Sequence, residues 1–383
     1  MVEWKKLGEV CEVLNGFAFK SQEYVPEGIR IIRISDVQSG YLSDKDMVYY
    51  PIDKLPEYKR FLLSEGDIVM SLTGNPGRIA IIPNNQCALN QRVACLRPKS
   101  VNKSYIYYLF NCKEFETIAF ANSTGGAQKN LSTVWLKSYP IPLPSLSEQE
   151  RIVGILDTFT SSIENLKAQI SLRRKQYEHY RDKLLDLEGK EGVEMKTLGE
   201  VCDTLSGFPF DSSKFKEEGI QLMRGANIKR GCFDFSQDLN KYWDNSEGLE
   251  KYLLEPNDII IAMDGSLVGR SFCYLQKEHL PLLLVQRVAR IRTTENFKYI
   301  YFNITRSFPD YVDKKKTAGA IPHISMKDIN NFPIPLPSLE EQSRIVSILD
   351  EFEASIKNLE AQLEAREKQY EYYREKLLTF ERE

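Results

Sequence analysis

Polar segments rich in basic and amide side chains, most of them containing glycine, recur along this 383-residue chain. Glycine lets a backbone approach a phosphate, lysine and arginine neutralise that phosphate, and glutamine, asparagine or histidine can bond to base edges. These residue types therefore predict contacts with a nucleic acid. The candidate DNA-binding residues are Arg33, Gln38, Arg78, Ser123, Thr124, Gln128, Lys129, Asn130, Arg224, Asn227, Lys229, Arg230, Arg270, Lys314, Lys315, Lys316, Thr317 and His323.

The same segments have a plainer interpretation, a tight turn between strands in which glycine supplies a positive φ. For residues 123–130 and their counterpart, residues 314–325, the two interpretations stand side by side. For residues 73–78 and their counterpart, residues 264–270, the structural interpretation is favoured.

A third matched pair of segments contains Gln38 and Asn227, whose amides could reach base edges. Arg92 and Arg287 lie among apolar residues that predict strands, and a structural role is favoured for both. Tyrosine and phenylalanine are numerous, but most have the spacing of core residues. Base stacking on aromatic rings is therefore not predicted.

The elements that must position these residues come from a duplication. Ordered matches recur about 190 residues further along the chain, which is too long a period for a solenoid. The matched runs are LGEVC at 7–11 and 198–202, QRVA at 91–94 and 286–289, and PIPLPSL at 140–146 and 333–339. One folding unit is therefore used twice, with different loops in the two copies.

The first part of each copy predicts an α+β domain. Short apolar runs are typical of strands; they lie at 29–34, 68–70, 79–82, 259–262 and 282–285. Residues 104–110 and 297–308 predict helices. The proline-rich run that follows cannot be helical and is expected to be extended. Ser145 and Ser338 then fit the start of a capping box, with glutamate three residues later.

A heptad stripe follows each capping box and predicts two long helices. Five heptads of 4-3 spacing, each interrupted once by an arginine, favour pairing of the two helices in a coiled coil over packing of each on its own domain. The predicted helix-pair interface consists of Ile152, Leu156, Phe159, Ile163, Leu166, Ile170, Ile345, Leu349, Phe352, Ile356, Leu359 and Leu363. Arg173 and Arg366 are the matching interruptions.

Pseudo-two-fold symmetry between the copies makes the two helices antiparallel. The predicted fold is therefore α+β, with two pseudo-symmetric α/β domains joined by a rod about 54 Å long. The predicted boundaries are a first domain at 1–144, a central helix and linker at 145–195, a second domain at 196–337 and a C-terminal helix at 338–383.

Several function classes lack support in the sequence. No phosphate-binding GxxxxGK[ST] run, HExxH, GxSxG or zinc-deaminase pattern is present, so no catalytic centre or metal site is predicted. Seven cysteines without a CxxC pair disfavour a disulfide framework and a zinc ribbon. No long apolar run predicts a membrane span, and the N-terminal residues lack a signal-peptide core, so a cytoplasmic location is expected.

Charge is distributed unevenly. The formal net charge is −3. Basic residues slightly outnumber acidic ones in the two α+β domains, whereas acidic residues prevail on the two helices. The basic excess is too small to identify a nucleic-acid binder by itself, and the acidic helices fit a protein-binding surface better.

With these features, the chain resembles the specificity subunit of Type I restriction-modification systems. The resemblance rests on Pro-Leu-Pro-x-Leu-x-Glu-Gln-x-Arg-Ile-Val at 142–153, repeated at 335–346, and on Thr-Gly-Gly at 124–126 before Gln-Lys-Asn-Leu-Ser. It covers essentially the whole chain. The second loop departs from the pattern, since Ala-Gly-Ala and His323 replace the Gln-Lys-Asn stretch.

The resemblance implies a non-catalytic DNA-recognition subunit with two target-recognition domains. Each domain would read one half of a bipartite site in double-stranded DNA, and the helix pair would set the spacer and dock the partners. Two modification (methyltransferase) subunits would methylate adenine with S-adenosylmethionine. Two restriction subunits would use ATP and magnesium for translocation and cleavage, so these cofactors belong to the partners and none to this chain.

Two alternatives belong to other classes. A protein-binding coiled-coil scaffold without DNA specificity would use the same helices and would show no salt-dependent binding to DNA. A self-contained methyltransferase or nuclease would turn over on DNA without partners.

Overall fold

The computed structural model describes residues 2–83, 87–126, 128–315 and 322–381 of the chain. The chain divides into two compact units: the first comprises residues 1–167 and 361–383, and the second comprises residues 168–360. Each unit therefore holds one α+β domain together with parts of both long helices. No helix in the described ranges is long and apolar enough to cross a membrane.

The first copy contains, in chain order, β1 (Glu3–Lys6), α1 (Leu7–Val10), β2 (Cys11–Asn15), β3 (Ile29–Ile32), β4 (Tyr49–Tyr50), β5 (Leu62–Leu63), β6 (Ile68–Ser71), β7 (Ile79–Ile81), β8 (Cys87–Leu89), β9 (Val93–Pro98), α2 (Lys103–Phe110), α3 (Lys113–Ala121), α4 (Thr133–Ser138), β10 (Pro140–Leu143) and the long helix α5 (Leu146–Leu184). Short 3-10 helices lie at Ser21–Glu23 and Ile52–Phe61.

The second copy contains β11 (Glu194–Thr197), α6 (Leu198–Val201), β12 (Cys202–Ser206), β13 (Ile220–Met223), β14 (Tyr242–Trp243), β15 (Ile259–Ala262), β16 (Phe272–Tyr274), β17 (Leu282–Leu284), β18 (Val288–Thr293), α7 (Phe297–Lys315), α8 (Met326–Asn330), β19 (Pro333–Leu336) and the long helix α9 (Leu339–Leu378). Its 3-10 helices lie at Ser212–Lys214, Gly225–Asn227, Glu250–Tyr252 and Lys277–His279.

The sheets have matching topology in the two units. In the first unit, β2-β9-β6-β7 form an antiparallel sheet, and β4-β3-β8-β5 form a second sheet in which β3 and β8 are parallel. In the second unit, β12-β18-β15-β16 repeat the first sheet, and β14-β13-β17 repeat three strands of the second, with β13 and β17 parallel. An isolated bridge between Leu253 and Leu283 lies where β5 pairs with β8. The duplication and the α+β class predicted from the sequence are confirmed.

The proline-rich run forms an edge strand in each unit. β1 pairs antiparallel with β10, with Trp4 opposite Pro142, and β11 pairs with β19, with Met195 opposite Pro335. Proline has no N–H to donate to a ladder and is therefore confined to edge strands such as these. The two-stranded ribbon ties the start of each copy to the residues that lead into its long helix.

A buried glutamine fixes the start of each long helix. Gln149 is 3% exposed; its Nε2 donates to the Pro144 carbonyl at 2.8 Å and its Oε1 accepts from the Asn102 amide at 2.9 Å. Gln342 makes the equivalent bonds to Pro337 and Asn296. The Glu-Gln of the repeated motif therefore joins the helix to the domain that precedes it.

The capping box is present only in its serine half. Ser145 Oγ accepts from the Glu148 amide at 3.3 Å, and Ser338 Oγ accepts from the Glu341 amide at 3.3 Å. The predicted return bond of the glutamate is wrong, because the Glu148 carboxylate instead accepts two bonds from Arg151, at 2.6 and 2.7 Å. Glu341 binds Arg344 in the same way.

The heptad stripe divides between domain cores and a helix-helix seam. Ile152 and Leu156 belong to the core of the first unit, and Ile345 and Leu349 to the core of the second. Ile170 is also buried. The half-buried residues of the predicted interface are Phe159, Ile163, Leu166, Phe352, Ile356, Leu359 and Leu363.

Contacts within the first unit show that the two helices run antiparallel there. Phe159 of α5 stacks on Tyr373 of α9 with ring centroids 5.4 Å apart. Lys167 of α5 lies 3.0 Å from Glu367 of α9. Residue numbers therefore rise along α5 as they fall along α9.

The second unit shows the same direction with other parts of the helices. Tyr180 of α5 stacks on Phe352 of α9 at 5.4 Å, and Arg174 lies 2.6 Å from Glu360. Partnering of α5 with α9 was predicted from their matched stripes and is confirmed within each unit.

Candidate nucleic-acid interface

A polar cleft of about 430 Å³ lies at one end of the sheets of the first unit. Its lining consists of Arg33, Ile34, Ser35, Thr73, Asn90, Gln91, Arg92 and Gln128. Two arginines and three amides thus meet in one depression. Arg33 and Gln128 were predicted as DNA-binding residues, and the fold brings them to the same place.

Strand ends explain why these residues converge. β3 and β8 are parallel, with Ile32 opposite Leu89, so Arg33 and Asn90 leave the sheet at the same edge. Carboxyl ends of neighbouring parallel strands form such a crevice in many ligand sites. The segment after β6 and the loop before α4 complete the lining.

Hydrogen bonds attach the loop at 123–130 to the end of β6. The Oδ1 atom of Asn130 accepts from Thr73 Oγ1 at 3.0 Å and from Arg92 Nη1 at 3.1 Å. The Leu131 amide donates to the Leu72 carbonyl at 2.7 Å. Asn130 therefore holds the loop, the β6 end and the arginine together.

The loop itself is a genuine tight turn. Gly125 has φ +106°, and a Cβ at this position would lie 2.5 Å from the Gln128 carbonyl oxygen. Only glycine fits there. Ser123 is buried and donates to the Ala119 carbonyl at 2.7 Å, whereas Thr124 and Gln128 are exposed. The turn interpretation and the contact interpretation therefore apply to different residues of the same loop.

The other predicted residues of the first unit have partners within the protein. Arg33 forms an ion pair with buried Asp36 at 3.1 Å and donates to the Asp46 carbonyl at 2.6 Å. Arg78 Nη1 donates to Gln38 Oε1 at 2.8 Å. Lys129 Nζ lies 5.3 Å from the centre of the Phe120 ring.

The second unit builds the corresponding surface from different residues. Asp264 occupies the place of Thr73 after the β15 strand, and it forms a β-bridge with His323, as Thr73 does with Asn130. Arg287 Nη1 donates to Asp264 Oδ2 at 2.8 Å. A hydroxyl and an amide in one unit are thus replaced by a carboxylate and an imidazole in the other.

Several predicted residues of the second unit are engaged in the fold. Asn227 is fully buried, its Nδ2 donating to the Asp234 carbonyl at 3.0 Å, so a base contact would require this loop to open. Arg270 forms a two-bond ion pair with Asp313. Arg224 lies over the Phe215 ring at 5.7 Å.

Charged groups at the surface of the second unit complete the predicted set. Lys229 lies 3.7 Å from Asp234, and Arg230 is exposed. Lys314 and Lys315 are exposed at the end of α7. Lys316 and Thr317 lie outside the described residues. For every one of these candidates, contact with DNA stays a prediction.

The placement of Arg92 and Arg287 inside strands is wrong. Both lie in exposed two-residue turns, between β8 and β9 and between β17 and β18. Their φ values are +69° and +65°. Apolar neighbours on both sides obscured the turn, and arginine is not a residue that signals a left-handed backbone. The one feature of the sequence that set these positions apart was that Gln-Arg is identical in both copies.

One scaffold that carries two matching but chemically different polar surfaces defines a two-domain recognition protein. The family model described as "Type I restriction modification DNA specificity domain" matches residues 1–173 and again residues 190–366. The chain belongs to this family, as the repeated motifs predicted.

Curated relatives have the same designation. The chain is 35% identical over 311 residues to the specificity subunit of the Escherichia coli Type I restriction enzyme EcoR124I/EcoR124II. The aligned region covers 76% of this chain and 74% of that protein. It is 28% identical over 407 residues to a putative type I restriction enzyme specificity subunit of Haemophilus influenzae, with coverage of 99% and 96%.

Solved structures share the fold. The S subunit of a Type I restriction-modification system from M. genitalium matches with a TM-score of 0.62 at 18% identity, over 100% of this chain and 97% of that one. A chain from a study of complex assembly and conformational transition of the type I R-M system also matches with a TM-score of 0.62, at 20% identity, over 98% and 96%.

Proposed function

We propose that each unit reads one half of a bipartite site in double-stranded DNA and that α5 and α9 set the distance between the halves. Membership of the specificity-subunit family already implies recognition of DNA sequence. The observation that supports the finer proposal is the duplicated surface: one backbone arrangement presents different polar groups in the two units.

Different groups favour different half-sites. In the first unit the buried Thr73 hydroxyl is bonded to the Asn130 amide, whereas the equivalent positions of the second unit hold the Asp264 carboxylate and the His323 ring. Donors and acceptors of these kinds discriminate among base edges in the major groove. Two unlike sets on one scaffold are what a site with two unlike halves requires.

The helices suit a spacer of fixed length. α5 has 39 residues and α9 has 40. At 1.5 Å per residue, a helix of 39 residues extends about 58 Å, the length of about 17 base pairs of duplex. Ion pairs and stacked rings join α5 to α9 in both units, so each helix is supported along its length.

Partner subunits are part of the proposal. Leu146 and Leu339, the first residues of the long helices, are 56% and 57% exposed, although both belong to the most specific motif of the chain. A surface presented once by each copy suits two identical modification subunits, which would bring S-adenosylmethionine. Two restriction subunits, with ATP and magnesium, would complete the complex, and this chain would contribute no catalytic group.

Methylated adenines in DNA from cells that express the chain with its modification subunit test this proposal. The expected result is a motif with two specified halves separated by unspecified bases. A single continuous motif, or methylation without sequence preference, would contradict the bipartite proposal.

A further inference from the structure

The turns that hold Arg92 and Arg287 have an unusual backbone for their residue type. A left-handed φ places the Cβ of an L-residue close to its own carbonyl oxygen, and glycine or asparagine normally occupies such positions. Here arginine does so in both units, at φ +69° and +65°. The backbone of the turn therefore does not favour arginine at this point, and glycine or asparagine would fit it with less strain.

Neither arginine fills the core. Arg92 is exposed and lines the 430 Å³ cleft of the first unit, and the Arg287 side chain is 63% exposed. Each follows an exposed glutamine, Gln91 or Gln286. The turn thus presents a cation at the surface where the candidate base-reading residues of its unit lie.

The two copies differ around these turns but agree in the turns themselves. Thr73 is replaced by Asp264 and Asn130 by His323, whereas Gln-Arg is unchanged. A group that is the same in both units is suited to a feature that is the same at every DNA site. That feature is the phosphate backbone, because base edges vary and phosphates do not.

We infer that Arg92 and Arg287 are phosphate-binding residues that anchor each unit on the DNA backbone while the neighbouring residues read bases. This inference rests on the proposed function, since it names contacts of the same surface. It assigns the two turns a role in affinity and none in the choice of half-site.

The two anchors are unequal in strength. Arg92 donates to a neutral amide, Asn130, and keeps its full charge for a phosphate. Arg287 donates to the Asp264 carboxylate at 2.8 Å, which offsets much of that charge. The first unit should therefore hold the backbone more strongly than the second.

Salt dependence of binding to a fluorescein-labelled duplex of mixed sequence tests this inference on the full chain. Each phosphate contact contributes about one to the slope of log affinity against log salt concentration. Arg92→Ala should lower that slope by about one, and Arg287→Ala should lower it by less. Asp264→Asn should steepen the slope, because it frees Arg287. Arg60→Ala removes an exposed arginine elsewhere in the first unit and should leave the slope unchanged.

Arg92→Gly separates binding from folding. Glycine adopts the left-handed backbone without strain, which offsets the loss of the hydrogen bond from Arg92 to Asn130. The Arg92→Gly variant should therefore melt no lower than the unsubstituted chain while its affinity for the duplex falls. An Arg92→Ala slope equal to that of the unsubstituted chain, or a fall in both melting temperature and affinity for Arg92→Gly, would overturn the inference. Failure of the unsubstituted chain to bind the duplex in a salt-dependent way would instead overturn the proposed function.

Discussion

Arg366 of α9 lies over the ring of Phe159 of α5, with its guanidinium carbon 5.6 Å from the ring centre. The equivalent contact recurs in the second unit, where Arg173 lies 5.7 Å over Phe352. These are the two arginines that interrupt the heptad stripes. Cation–π contact explains how a charged residue is accommodated in an apolar seam. The interruption is therefore part of the pairing that the matched stripes predicted.

The ion pairs of the seam are asymmetric in charge. α5 supplies the cation and α9 the anion in both, through Lys167 with Glu367 and Arg174 with Glu360. We expect Lys167→Glu to lower the free energy of unfolding by about 0.5 kcal/mol, because these side chains are partly exposed and solvent screens them. The double variant Lys167→Glu/Glu367→Lys should recover most of the loss in a double-mutant cycle of urea denaturation. A double variant that is less stable than the single one would contradict this pairing.

Burial of the heptad stripe in the domain core predicts a large cost for truncation near the helix start. Leu156 is fully buried in the core of the first unit, whereas Leu172 of the same helix is 59% exposed. We expect Leu156→Ala to lower the free energy of unfolding by about 3 kcal/mol. The control Leu172→Ala should change it by less than about 0.5 kcal/mol. Equal effects of the two substitutions, measured by urea denaturation, would show that α5 is not anchored in this core.

A carboxylate packed between the two helices of the second unit, where it accepts from Tyr177 of α5, predicts pH-dependent stability. Loss of solvation against neighbouring side chains raises the pKa of Glu353, and the Asp350 charge adds to the increase, although the Tyr177 hydroxyl, 3.0 Å away, and Lys298 oppose it. Because the folded state binds the proton more tightly, stability falls as pH rises from the ordinary carboxyl pKa through the raised one. Glu353→Gln should therefore raise the melting temperature at neutral pH.

This gain from Glu353→Gln should shrink as pH falls below the ordinary carboxyl pKa of 4.5, where both states hold the proton. Glu351→Gln, an exposed neighbour on α9, is the matched control and should have little effect at either pH. A Glu353→Gln variant that melts lower than the unsubstituted chain at neutral pH would contradict the assignment.

Residues of the loop at 123–130 should act on one half-site only. Alanine at Gln128 or Lys129 is expected to weaken or relax recognition of the first half of the site, because both belong to the loop that borders the cleft. A lost base contact costs about 1–3 kcal/mol of discrimination. Methylation of duplexes altered in one half at a time measures this, and equal relaxation of both halves would show that the loop is not a reader of one half.

Much of the fold could be predicted because its signals are local and repeated. The apolar runs at 68–70 and 259–262 became β6 and β15, and the prolines of β10 and β19 ruled out helix. Comparison of the two copies allowed the partner of α5 to be identified. The helix predicted at 297–308 continues to Lys315, whereas its counterpart breaks near Cys112, which caps α3 through its sulfur.

The candidate site was less predictable because tertiary contacts decide it. Residue types suggested Asn227 as a base reader, but the fold buries it and uses its amide inside the loop. Conversely, Arg92 was assigned to a strand by its apolar neighbours, and only its backbone conformation reveals an exposed turn. A single sequence does not show which polar groups are hydrogen-bonded within the folded protein and which remain exposed to a ligand.

Insertion of one heptad into both α5 and α9, followed by mapping of methylated adenines, tests the central claim most directly. Seven residues lengthen each helix by about 10 Å, the length of about three base pairs. The expected result is the same two half-sites with a longer spacer between them. Methylation of the original site with its spacer unchanged would contradict the role of the helix pair as the element that sets the distance between two recognition domains.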